Sequence, residues 1–101
     1  MITFLLPGKV TLTSWNIAEI VSTNKYHFVG YSCGDGLGRA STPIADFDEN
    51  RGIGRTESGS EYELIGKPGL VHSDALYVLE QTWALDQAYK WVYPINLSIT
   101  L

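Results

Sequence analysis

Four groups of residues have types and spacings that could do chemistry. Gly34, Asp35, Gly36, Leu37, Gly38 and Arg39 form the most glycine-rich stretch. Backbone N–H groups in such a loop can nest an anion, and Arg39 could close the nest. A phosphate loop normally feeds a helix whose first N–H groups point at the ligand. Ala40, Ser41, Thr42 and Pro43 follow instead, and Ser41 stands where a third glycine would belong. The stretch is therefore expected to be a mobile hairpin loop, with Arg39 kept as a candidate ligand contact. The second group, Asp46, Asp48, Asn50 and Glu57, has the spacing of a calcium loop. Arg51 occupies the tight-turn glycine position, and the flanks read as strands, so a hairpin with solvated acids is the simpler account. No metal site and no cofactor are expected.

Cys33 with His27 or His72 would supply a nucleophile and a base. A thiol on a strand is more often a small buried hydrophobe, and His72 falls where a ring can cap a helix. No catalytic residue is assigned. The fourth group is Trp83, Tyr89, Trp91 and Tyr93, which exceed what one short helical face can bury. Trp and Tyr join apolar area to a polar tip and are enriched at interfaces. Arg39, Trp83, Tyr89, Trp91 and Tyr93 are thus the candidate partner- or ligand-binding residues.

Strands must position these groups. An apolar run over residues 2–6 closes at Pro7 and Gly8, a turn pair. Val10, Leu12 and Ser14 alternate with Thr11 and Thr13, and the extended pattern continues to Val21. Asn24 centres a turn, and residues 26–33 resume the pattern as a second hairpin arm. Residues 39–46 read extended with Pro43 at an edge or bulge. Hairpins follow around residues 48–52 and 58–60, with Tyr62 and Leu64 on one face and Glu61 and Glu63 on the other. With no helix between these strands, antiparallel pairing is expected. Ser73 reads as a helix N-cap with Asp74 in the first turn. Leu76, Leu79 and Trp83 share a face, and the helical pattern extends through Ala84, Leu85 and Ala88. Residues 95–101 alternate as a closing strand, a candidate edge for pairing between subunits.

The composition excludes other functions. Seven Lys and Arg against eleven Asp and Glu give a net charge of −4 over 101 residues. The cations are scattered, so nucleic acid and anionic membranes are not expected partners. Cys33 is the lone cysteine, which rules out an intrachain disulfide and suits a reducing, cytoplasmic compartment. The N-terminal run lacks a basic region and stops at Pro7, unlike a signal peptide.

The block Gly38, Arg39, Ala40, Ser41, Thr42, Pro43, Ile44, then Phe47 and Asp48, then Arg55 to Leu64, then His72 to Tyr77 resembles a group of short, uncharacterised bacterial proteins. In these a TSPI strand, a TRSGSVYRL hairpin and a DAEY helix recur, and some are carried as integron or other mobile gene cassettes. The resemblance implies a bacterial origin and a β-rich fold and brings no activity. Glu57 and Glu63 replace basic residues of that pattern, and the aromatic tail after Leu85 is an addition.

Together these features predict a single α+β domain over residues 1–101, a mostly antiparallel, strongly curved sheet of about six or seven strands carrying one helix. The expected function is a non-catalytic protein-interaction module. It would form a homo-oligomer, a dimer or higher, through the aromatic tail and an edge strand, with an unidentified protein partner as another option. The alternative is a small-molecule binder or small enzyme with a cavity between helix and sheet, and Arg39, His27 and Tyr62 as polar handles.

Overall fold

The structure, a computed structural model, describes residues 8–95. In chain order it contains β1 (Lys9–Ile20), β2 (Lys25–Ser32), β3 (Leu37–Ala40), β4 (Ile44–Asp48), β5 (Ile53–Thr56), β6 (Glu61–Leu64), α1 (Ser73–Gln81) and β7 (Tyr89–Trp91). The expected strand at residues 2–6, and that at 95–101 apart from Ile95, lie outside the described residues.

The strands form one sheet of order β3-β2-β1-β6-β5-β4, with β7 also paired to β1. Here the structure corrects the sequence reading. The sheet is mixed, because β1 runs parallel to β6 from Lys9↔Glu61 to Leu12↔Leu64, while the other pairings are antiparallel. A parallel pair needs a long crossover, not a helix as such. The β2–β3 and β4–β5 hairpins supply it. Nor is the sheet strongly curled around one interior, since it carries apolar clusters on both faces.

A bulge in β1 divides those clusters. Thr13 lies opposite Tyr31 and Asn16 opposite Val29, so one extra residue is inserted, and Ser14 takes a φ of 46°. The alternation of side chains changes phase there. Leu12, Trp15 and Ile17 consequently share a face with Phe28, Tyr62 and Leu64. Ala18, Ile20 and Val29 face the other way, against Val71, Ala75 and Leu79 of the helical layer. Gly30 is required opposite the bulge: a Cβ there would sit 2.8 Å from the Cβ of Trp15.

The hairpin at Asn24 forms as expected, with Asn24 at φ 58° and its N–H donating to the Ile20 carbonyl at 2.9 Å. The helix starts one residue earlier than its cap was expected. His72, not Ser73, is the N-cap, its Nδ1 accepting from the Asp74 N–H at 3.1 Å. It also ends early, at Gln81. The Thr82 hydroxyl donates back to the Val78 carbonyl at 2.6 Å, and Asp86 adopts a φ of 55°. The chain then turns so that Tyr89 to Trp91 can pair with β1, a strand that helical periodicity through Ala88 had hidden. Among the described residues no helix is long and apolar enough to cross a membrane.

Candidate functional site

The β1 bulge places two adjacent residues with opposite tasks. Trp15 turns onto the helix-free face, and its indole N–H donates to the Gly66 carbonyl at 3.1 Å. Asn16 is fully buried on the other side. Its Nδ2 donates to the carbonyls of Gly69 and Tyr93, each at 3.0 Å. Its Oδ1 accepts from Ile17 N–H at 2.7 Å and Tyr93 N–H at 3.2 Å. The side-chain amide thus serves Tyr93 as a neighbouring strand would. Further bonds lace the segment after β6 onto β1: Ile65 N–H to Leu12 O at 2.9 Å and Gly69 N–H to Trp15 O at 3.0 Å.

The turn between β4 and β5 makes the opposite wall. Gly52 N–H donates to Asp48 O at 2.9 Å, Arg51 N–H to Asp48 Oδ1 at 3.2 Å, and Leu64 N–H to Gly52 O at 2.8 Å. Gly52 has a φ of +65°, and a Cβ there would lie 2.8 Å from the Leu64 carbonyl oxygen. Only glycine lets the turn dock this closely.

Between these walls is a cavity of about 310 Å³. Trp15, Tyr93, Arg51, Lys67, Glu49 and Leu64 are its principal lining side chains. Trp15 and Tyr93 meet edge to face, centroids 5.8 Å apart at 80°. Burial pushes the Tyr93 phenol above its ordinary pKa, and the negative charge of nearby Glu49 adds to the rise. Three ion pairs between acids and Lys or Arg occur among the described residues, Lys9–Glu61, Lys25–Glu57 and Arg39–Asp35. Arg51 and Lys67 take part in none of them.

The residues singled out from the sequence disperse. Of the five candidate binding residues only Tyr93 lines this cavity, joined by Asn50 of the calcium-like string. Tyr89 and Trp91 pack against the helix-side cluster and meet edge to face at 5.3 Å. Bonds from Val21 N–H to Ala88 O and from Val92 N–H to Ile17 O flank them, so by alternation their own main-chain groups face the edge of β7 that no other strand of the described residues pairs. Trp83 lies beyond the helix, 38% exposed, stacked on His27 at 4.6 Å with its N–H towards Ala40 O at 3.4 Å. Arg39 lies on β3, its guanidinium 2.6 Å from Asp35. That pairing holds the Asp35 carboxyl below its usual range.

Tyr62 neighbours Arg39, and desolvation raises its phenol pKa. His27 is buried, with Nδ1 2.7 Å from the Ser41 carbonyl, so Nδ1 carries the hydrogen. His27 and Arg39 do not line the Trp15–Tyr93 cavity, which opens on the face away from α1. The glycine-rich stretch is the β2–β3 turn and leads into a strand, not a helix. Glu57, the closing acid of the calcium-like string, pairs with Lys25 at 3.0 Å. Cys33 is exposed.

Trp15, Asn16, Arg51 and Lys67 were not anticipated. One signal was present: Leu12, Trp15 and Ile17 break strict alternation, the mark of a bulge. Comparison with protein-family models, curated proteins and solved structures returns no match, so function is argued from the chain's own geometry.

Proposed function

We propose that the chain is a non-catalytic binding protein that holds a small molecule in the cavity between Trp15 and Tyr93. The observation that carries this is an aromatic wall beside two cations, Arg51 and Lys67, outside the ion pairs of the described residues. Ligand sites join apolar lining to a few convergent polar groups, and this cavity lies at the small end of their size range. A ligand that binds only the folded chain must raise its melting temperature. A thermal-shift screen of small acids, bases and neutral compounds is expected to find stabilisers, with the rise reduced in Lys67→Gln. No stabiliser at millimolar concentration would contradict the proposal.

A second reading, the homo-oligomeric interaction module, is favoured by the edge of β7 left unpaired among the described residues and by a groove of about 380 Å³ beside β3. Leu37 and Tyr77 line that groove at 58% and 65% exposure. Self-association ranks second for an electrostatic reason. A two-fold pairing centred on β7 sets Lys90 opposite Lys90 of the other copy, and like charges directly opposite destabilise a sheet. Sedimentation velocity should then show a dimer that strengthens with salt, whereas a monomer at every concentration contradicts this reading. A cytoplasmic setting and an origin among bacterial cassette-borne proteins belong to the proposal as well, supported by the lone cysteine and by the residue strings.

A further inference from the structure

We infer that the ligand class of the Trp15–Tyr93 cavity is a small monoanion carrying a flat ring, such as an arene or heteroarene carboxylate. This rests on the reading of that cavity as a ligand site and adds the chemistry it selects.

Charge supplies the first argument. The chain carries −4 overall from only seven cations, yet Arg51 and Lys67 both line one cavity against a single acid, Glu49. The local balance is therefore opposite in sign to that of the whole chain. Glu49 lies close enough to the Tyr93 hydroxyl for its charge to raise the phenol pKa, so it faces the same end of the cavity as that hydroxyl. An arginine fork suits the two oxygens of a carboxylate, and a lysine adds an adaptable point charge.

Shape supplies the second. Trp15 and Tyr93 stand nearly perpendicular at 5.8 Å, and Leu64 and Pro68 complete the apolar lining. A flat ring can lie against the half-buried Tyr93 and meet the narrow accessible margin of Trp15, which is only 4% exposed. About 310 Å³ holds on the order of a dozen non-hydrogen atoms, the size of a single-ring acid. Glu49 disfavours a second negative charge and leaves an acceptor for a hydroxyl or ring N–H on the ligand.

Rigidity supplies the third. Asn16 pins Tyr93 from its buried amide, Gly66 holds the Trp15 indole, and Gly52 docks the cationic turn on Leu64. Walls fixed before binding lower the ordering cost that a ligand must overcome.

The test uses the full chain labelled for ¹H–¹⁵N spectra, with the Trp15 indole N–H as a local reporter. The probes are 4-hydroxybenzoate, its neutral amide, 4-hydroxybenzylamine and cyclohexanecarboxylate. 4-Hydroxybenzoate is expected to shift the Trp15 indole and Gly66 resonances and to bind at least about tenfold more tightly than the amide, one charge-assisted contact's worth. The Arg51→Gln, Lys67→Gln double variant should abolish that preference while its melting temperature stays unchanged. Equal or tighter binding of the amide or the amine would overturn the anion assignment and leave the cavity a ligand site. Tighter binding of cyclohexanecarboxylate would overturn the flat-ring assignment. If no probe at millimolar concentration moves the Trp15 indole, this inference and the reading beneath it both fall.

Discussion

The Asn16 carboxamide and the Tyr93 main chain bond to each other in both directions, Nδ2 to the carbonyl at 3.0 Å and N–H to Oδ1 at 3.2 Å. They are 77 residues apart in sequence. The link brings the aromatic tail back to the β1 bulge and fixes one wall of the cavity. Asn16 is wholly buried, while its partners Gly69 and Tyr93 are half-buried.

Asn16→Leu should therefore cost far more than a surface change. It strands the half-buried Tyr93 and Gly69 main-chain groups, each at part of the roughly 1–3 kcal/mol that a fully buried unsatisfied group costs. A loss of about 3 kcal/mol is expected from urea unfolding. A loss below about 1 kcal/mol would mean that these bonds do not hold the tail.

Gly52 and Gly66 provide a matched comparison. Both have positive φ, but a Cβ on Gly66 meets nothing within 4 Å, whereas one on Gly52 meets the Leu64 carbonyl oxygen at 2.8 Å. Gly66→Ala should cost about 1 kcal/mol, from backbone conformation alone. Gly52→Ala should cost more and should also weaken ligand binding by displacing Arg51. Equal costs in denaturant melts would contradict the close docking of the turn.

His27 should make stability depend on pH. Burial is the largest influence on it and lowers its pKa from the ordinary value near 6.5, outweighing the hydrogen bond to Ser41. The unfolded chain therefore takes up the proton first as pH falls. The stability contributed by neutral His27 is complete above about pH 6.5 and declines as pH drops from there towards the folded-state value. The carboxyl of Asp35, held low by Arg39, acts in the same sense but only in the more acidic carboxylate range. Urea midpoints measured from pH 8 to pH 5 should fall in the native chain and stay flat in His27→Gln.

Trp83 covers His27 by stacking at 4.6 Å. Trp83→Ala should let water reach the imidazole and return its pKa towards the ordinary value, as read by histidine NMR titration. An unchanged titration would mean that the indole does not shield the ring, and would leave its exposed face free for an interface role.

The fold was legible wherever local chemistry decides it. The Asn24 turn, the alternation of Tyr62 and Leu64 with two glutamates, and the acidic first turn of α1 can each be read from a few neighbouring residues. The β1–β6 parallel pairing could not, because it joins segments across two intervening hairpins and leaves no local mark. The helix stop at Gln81 was masked by apolar residues that follow at helical spacing but serve the turn into β7. The site was the least legible. Its parts, Trp15, Asn16, Arg51, Lys67 and Tyr93, come from four distant segments and meet only because one extra residue in β1 rotates two side chains. Of the five residues chosen for their chemistry, Arg39 answers to Asp35 and Trp83 to His27, while only Tyr93 reaches the cavity.

The most direct test of the cavity as a site for a flat-ring monoanion is a crystal structure of the full chain soaked with 4-hydroxybenzoate. Density for the ring is expected against Trp15 and Tyr93, with the carboxylate within hydrogen-bonding reach of Arg51 or Lys67. Density confined to the Leu37–Tyr77 groove, or an empty cavity at saturating ligand, would contradict the account.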